Sequence, residues 1–162
     1  MLAAILGLVL TSLAIQPAPS EGIGELLTRA RRELSEHQYD QALATADRAK
    51  LLAPGDLTPY LISAHALLEA GRLADAGSEL QPALRPDPKS PAHALELAQI
   101  LDRLGLPGSA SEVLMKLGPP SRQEDEALSL LVDLFYQQRR FDEALQALDE
   151  YERRGTSRPA EV

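Results

Sequence analysis

Apolar residues from position 23 onward recur at the spacing of a helix, and short polar or glycine-containing stretches interrupt them. Over residues 125–156, for example, one apolar stripe is followed by a polar break and then by a second stripe. This alternation predicts pairs of helices joined by tight turns. The two stripes are Leu128, Leu131, Val132 and Phe135, and then Ala144, Leu145, Leu148 and Tyr151.

The same pattern returns every 34 residues, which predicts four helix–turn–helix hairpins over about residues 23–56, 57–90, 91–124 and 125–156. Small residues recur in register within these units. They are needed where two helices cross closely, because a larger side chain would overpack the contact at a cost of roughly 1–3 kcal/mol. These residues are Ala42, Ala76, Ala110 and Ala144 in the second helices, and Ala30, Ala64, Ala98 and Val132 in the first.

Prolines interrupt two of the predicted second helices. Pro82 falls inside the second helix of the second hairpin, where its missing N–H and its ring kink or end a helix. The sequence Gly118-Pro119-Pro120 shortens the corresponding helix of the third hairpin. We expect the linker over residues 118–123 to be either a hinge or a rigid bend.

Residues 1–20 form a segment separate from the predicted array over 21–156. Met1–Ile15 is apolar and falls short of the roughly 20 residues that span a bilayer as a helix. Its length suits a signal peptide, although no Lys or Arg precedes the apolar run. We therefore expect export to a periplasm or to the extracellular space, with an uncleaved membrane anchor as the alternative. Residues 157–162 are a short polar tail.

The formal net charge is −8, and none of it comes from residues 1–20. An acidic folded part disfavours nucleic acid and anionic membrane surfaces as partners. Membrane contact is therefore expected only if residues 1–15 are retained. The absence of cysteine excludes disulfides, thiolate metal sites and a cysteine nucleophile.

The register of these residues resembles the tetratricopeptide repeat (TPR) family over residues 23–156. Units of that family are about 34 residues long, with a small residue midway through the first helix and an alanine early in the second. The sequence FDEAL over 141–145 is typical of the family. The resemblance implies an all-α fold in which about four hairpins form a right-handed superhelical array. The large aromatic residue usual early in the first helix is replaced by Leu26, Tyr60, Ala94 and Leu128.

The resemblance further implies a non-catalytic scaffold or adaptor that binds protein or peptide partners in a groove lined by the first helices. The signal-like start and the Leu-, Ala- and Arg-rich composition suggest a bacterial cell envelope, and a membrane-tethered assembly factor is the alternative. Some domains of the family bind the C-terminal carboxylate of chaperones through cationic and amide side chains of this groove. Arg31 is the only cation at the matching positions here, so we do not expect carboxylate binding of that kind. Several groove leucines fit an interhelical core equally well. The candidate groove residues are Leu27, Arg31, Leu61, Ile62, His65, Leu95, Glu96, Gln99, Leu130 and Asp133.

Aromatic residues concentrate in the fourth hairpin, where Phe135 and Phe141 are predicted to lie in the core. Leu145, Leu148 and Tyr151 lie where a further repeat would pack, and helical arrays usually need a polar cap at such a place. These three residues are a candidate interaction face, either for a partner or for a second copy in a self-associating structural protein. A solvated helix end is the alternative.

Nothing in the sequence favours catalysis. His37, His65 and His93 share no metal-ligand spacing. No phosphate-binding glycine loop or nucleophile elbow is present. We therefore expect no enzyme activity, no cofactor, and no catalytic, cofactor-binding or metal-binding residues.

Overall fold

The computed structural model of the chain describes residues 21–84, 90–117 and 124–156, whose regular structure is entirely α-helical. The predicted leader over 1–20, linker over 118–123 and tail over 157–162 lie outside the described residues. None of the helices in the described part is long and apolar enough to cross a membrane. The helices are α1 (Ile23–Ser35), α2 (Tyr39–Leu52), α3 (Thr58–Glu69), α4 (Leu73–Glu79), α5 (Gln81–Leu84), α6 (Pro91–Arg103), α7 (Pro107–Met115), α8 (Glu124–Gln137) and α9 (Phe141–Thr156).

These helices pack as successive hairpins: α1 with α2, α3 with α4 and α5, α6 with α7, and α8 with α9. A second helix also packs on the first helix of the next hairpin, as α2 does on α3 and α7 does on α8. First helices pack on one another along the chain, α1 on α3, α3 on α6 and α6 on α8. The main contacts of each hairpin are thus with its neighbours, as in a helical repeat array. The predicted all-helical array of hairpins is confirmed.

The recurring alanines lie in the centre of these helix contacts. Ala42, Ala76 and Ala110 are 0% exposed, and Ala144 in the fourth hairpin is 8% exposed. Larger aliphatic residues fill the space between them, because leucine packs well wherever two helices are not forced into closest approach. The largest fully buried members of this core are Leu26, Leu61, Ile62, Leu80, Leu97, Ile100, Leu101 and Leu134.

Each hairpin turns at a residue in the left-handed backbone region. In the second hairpin, the N–H of Gly71 donates to the carbonyl of Leu68 at 3.0 Å, and the N–H of Arg72 donates to that of Leu67 at 2.8 Å. These two bonds form a Schellman motif, which satisfies carbonyls at the helix end. The same pair closes the other three hairpins. The turn residues, 34 apart, are His37, Gly71, Gly105 and Arg139, with φ of 60°, 75°, 75° and 58°.

The fourth turn carries an avoidable backbone strain, since Arg139 adopts a conformation that costs a non-glycine residue roughly 1 kcal/mol. Its side chain is exposed. We expect Arg139→Gly to raise the free energy of unfolding by about 1 kcal/mol, as measured by urea denaturation. Ser129→Gly, at an exposed position within α8, should instead lower it by about 0.5 kcal/mol. Equal effects of the two glycines would contradict this interpretation of the turn.

The break predicted at Pro82 is confirmed. Helix α4 ends at Glu79, and the four-residue α5 begins at Gln81. The N–H of Leu80 still donates to the carbonyl of Ala76 at 3.3 Å. Pro82 has no N–H with which to continue this series, so the second helix of this hairpin is divided in two.

Candidate functional site

Four residues of the predicted groove occupy the same position on the four first helices. Arg31, His65, Gln99 and Asp133 lie 34 residues apart on α1, α3, α6 and α8, and we call them the groove ladder. His65 is half-buried and the other three are exposed. Because successive first helices pack side by side, the four side chains form one row across the array. The groove ladder is therefore a row of polar groups, one on each first helix.

Two side-chain contacts between oppositely chargeable groups join α3 to α6 beside this row, and that of His65 is an ion pair only when the imidazole is protonated. His65 Nδ1 lies 3.6 Å from Glu96 Oε1, and Arg103 Nη1 lies 2.8 Å from Glu69 Oε1. Glu69 and Arg103 are nearly half exposed, so their pair contributes less than about 1 kcal/mol to stability. Sequence reasoning missed these two residues, although they are themselves 34 apart and the repeat register would have revealed them.

The environment of His65 disfavours its protonated form. Burial lowers the pKa of His65 below the usual value of 6.5, and the nearby Arg103 guanidinium lowers it further. The carboxylates of Glu96 and Glu69 raise it, but burial is the largest effect. His65 is therefore neutral over more of the pH range than a solvated histidine.

This shift predicts how stability depends on pH. Because the folded-state pKa of His65 is below its unfolded value of 6.5, the unfolded chain binds more protons in the window just below pH 6.5. The contribution of His65 to stability is thus present above pH 6.5 and is lost as the pH falls toward the folded-state pKa. We expect His65→Gln to reduce the loss of stability on acidification, as measured by urea denaturation at several pH values. An equal loss of stability on acidification in His65→Gln and in the native chain would contradict this assignment.

Three of the predicted groove residues lie in the core instead. Leu61 and Ile62 are each 1% exposed and Leu95 is 8% exposed, so the prediction that they line a groove is wrong. The reason is that α3 and α6 are each covered by both the preceding and the following hairpin. Leu27 and Leu130 are half-buried and pack against the core. The predicted groove residues that remain accessible are Arg31, His65, Glu96, Gln99 and Asp133.

The candidate face on the last helix is at the surface. Leu145 is 60% exposed, Leu148 39% and Tyr151 43%. Phe135 is buried as predicted, but Phe141 is 52% exposed, so its placement in the core is wrong. The equivalent position in the second hairpin, Leu73, is exposed as well, so the first residue of these two second helices lies at the edge of the packing.

Tyr136 extends this face and was missed by sequence reasoning. It is 68% exposed, and its ring meets that of Phe141 edge-on with the centroids 5.7 Å apart. Tyr136 lies near the end of α8 and Phe141 begins α9, so the turn between the two helices brings the rings together. The sequence signal that could have identified this contact was the presence of aromatic residues on both sides of a predicted turn.

A cleft of about 450 Å³ opens between α2 and α4. Leu43 and Leu67 line it together with charged side chains that are already paired. Lys50 bridges Asp47 and Glu79, which belong to different hairpins. Among the described residues there is no group of His, Asp and Glu that could hold a metal ion. The pair of Lys50 with Glu79 therefore joins neighbouring hairpins, whereas Arg72 and Asp75 pair within the second hairpin.

Two sequence profiles of the tetratricopeptide repeat family match the chain, one over residues 67–131 and the other over residues 121–159. The chain belongs to the tetratricopeptide repeat family. No curated protein sequence matches it. Repeats of this family mediate interactions with proteins or peptides and are typically non-catalytic, so the function of this protein is of the interaction-scaffold kind.

Proposed function

We propose that the groove ladder is the surface through which this protein binds a segment of a protein partner. The observation that carries the proposal is the row of accessible polar side chains at one repeat position on four successive first helices. A binding surface needs groups that are accessible and held in place. The helices of the ladder are fixed by the packed alanines and leucines beneath them.

The charges along the ladder favour one orientation of the bound segment. Arg31 lies at the α1 end and Asp133 at the α8 end, and the polar His65 and Gln99 lie between them. A segment with an acidic group facing α1 and a basic group facing α8 is complementary to this order. Charge complementarity of this kind sets the register and the association rate more than the affinity.

A matched pair of triple variants tests the proposal. Arg31→Ala, Gln99→Ala and Asp133→Ala together remove three groups of the ladder, whereas Ser78→Ala, Glu112→Ala and Gln146→Ala remove three exposed groups, also 34 apart, from the second helices. Each full-length bait is used to capture proteins from an envelope extract of the source organism. We expect the ladder variant to retain its main partner about tenfold less than the native chain does, and the second-helix variant to retain it unchanged. Equal retention of the partner by the two variants would refute the proposal that the groove ladder binds it.

We further propose that the protein acts in a bacterial cell envelope after export, and this rests on the apolar segment Met1–Ile15 and the prolines that follow it. A membrane-tethered assembly factor is the second candidate, since the same segment would serve as an anchor. Mass spectrometry of the native amino terminus distinguishes the exported protein from the membrane-tethered one. A mature chain that begins near Ile15 or Glu21 supports export, whereas an intact segment in the membrane fraction supports the tether.

A further inference from the structure

An apolar stripe runs along the exposed side of α9. Phe141, Leu145, Leu148 and Tyr151 follow one another at intervals of four, three and three residues, so they lie along one side of the helix. We call these four residues the α9 face. All four are more than a third exposed, as reported above. A solvated second helix would not need a continuous apolar stripe on this side.

Several positions equivalent to the α9 face are buried in the earlier hairpins, although Leu73, the equivalent of Phe141 in the second hairpin, is 54% exposed. Ser111 and Leu114, which lie 34 residues before Leu145 and Leu148, are 0% and 2% exposed. Leu80 and Ala46, one and two repeats further back, are 0% exposed. In the first and third hairpins the covering element is the first helix of the next hairpin, since α2 packs on α3 and α7 packs on α8. The part of the α9 face at Leu145 and Leu148 therefore has the geometry of a surface that receives a helix.

Acidic residues border this stripe. Asp142 and Asp149 are one heptad apart, lie beside the α9 face on its solvent side, and form no ion pair within the described part of the chain. Residues 124–156 contain nine acidic and four basic residues, so most of the net charge of −8 lies in this hairpin. The border is thus complementary to basic side chains.

We propose that the α9 face binds an amphipathic helix of another protein, whose apolar stripe is flanked by Lys or Arg. The apolar residues supply the contact, and the basic flanks meet Asp142 and Asp149. A second copy of the chain fits less well, because it would bring the acidic border of one copy against that of the other. This proposal concerns a surface separate from the groove ladder and does not depend on it.

The test uses the full-length chain and a synthetic helical peptide. The peptide has leucines at i, i+4 and i+7, lysines on both flanks and alanine elsewhere, and a matched peptide has glutamate in place of each lysine. Fluorescence anisotropy measures binding. We expect the lysine peptide to bind at least about tenfold more tightly than the glutamate peptide, and the difference to shrink at high salt.

Substitutions on α9 test whether the peptide binds at the α9 face. Leu145→Glu should weaken binding of the lysine peptide by at least about tenfold, and the pair Asp142→Asn and Asp149→Asn should weaken it by about fivefold. Leu51→Glu, at an 81% exposed position on α2, is the matched control and should have no effect. The triple variant of the groove ladder should also bind the peptide normally, which separates failure of this proposal from failure of the groove.

Three results would overturn the proposal. The first is equal affinity for the two peptides, and the second is binding that Leu145→Glu leaves unchanged. The third is a native chain that forms a dimer in light scattering and becomes monomeric with Leu145→Glu, since the occupant would then be a second copy. A monomeric native chain with the expected peptide affinities supports the amphipathic helix. Circular dichroism of each variant confirms that the helices are intact.

Discussion

Ala76→Leu should lower the free energy of unfolding by about 3 kcal/mol, which is the upper end of the usual cost of overpacking. Ala76 is 0% exposed, and its helix α4 packs on α3. The same position is alanine in all four hairpins, where it permits the closest approach of the two helices. Three additional carbon atoms at this contact must displace either the helix or its neighbours, because protein interiors are close-packed.

Ala74→Leu is the matched control for this experiment. Ala74 lies in the same helix, only two residues away, and is exposed. Leucine and alanine have similar helix propensities, so this substitution should change the free energy of unfolding by less than about 0.5 kcal/mol. Urea denaturation of the full-length chain followed by far-UV circular dichroism gives both values. Equal costs for the two variants would contradict the assignment of the alanine series to close helix contacts.

Leu61→Ala should lower the free energy of unfolding by about 3 kcal/mol. Leu61 is 1% exposed and belongs to the main core cluster, so truncation removes buried apolar surface and leaves a cavity between packed helices. The control is Leu145→Ala on the α9 face, where the side chain is 60% exposed and little buried surface is lost. That variant should cost less than about 0.5 kcal/mol.

The comparison between these two leucines decides which of them is available for binding. If Leu61→Ala were nearly neutral in urea denaturation, Leu61 would be a surface residue and the groove would be apolar after all. A large cost at Leu145 would instead mean that the α9 face is already covered in the native chain. We expect neither result, because the two side chains differ so widely in exposure.

The repeat register was predictable because it leaves regular marks in the sequence. Ala42, Ala76, Ala110 and Ala144 recur at 34 residues, and each marks a contact that only a small side chain permits. Pro82 was equally informative, since the absence of an N–H has a direct local consequence. The left-handed turns were predictable only in part. Glycine marks two of them, but His37 occupies the same conformation without a sequence signal of comparable strength.

The side of α3 that faces solvent was not predictable. From Leu61 to Leu68 the helix contains only two polar residues, Ser63 and His65, so its sequence has no distinct polar side that would orient it. Its orientation is set by contacts with hairpins on both sides, which are distant in sequence. That is why Leu61 and Ile62 were assigned to a groove. The polar ladder position was assigned correctly to the surface because Arg31, Gln99 and Asp133 mark it in three other helices.

The central claim is that the first helices carry the partner-binding surface, and site-specific crosslinking tests it most directly. The chain has no cysteine, so Gln99→Cys and Glu112→Cys each introduce a single reactive site in the third hairpin. Gln99 lies on α6 and Glu112 on α7, and both are exposed. With a short benzophenone crosslinker attached, we expect Gln99→Cys to form a crosslinked product with the captured partner and Glu112→Cys to form none. Crosslinking from position 112 without crosslinking from position 99 would contradict the account.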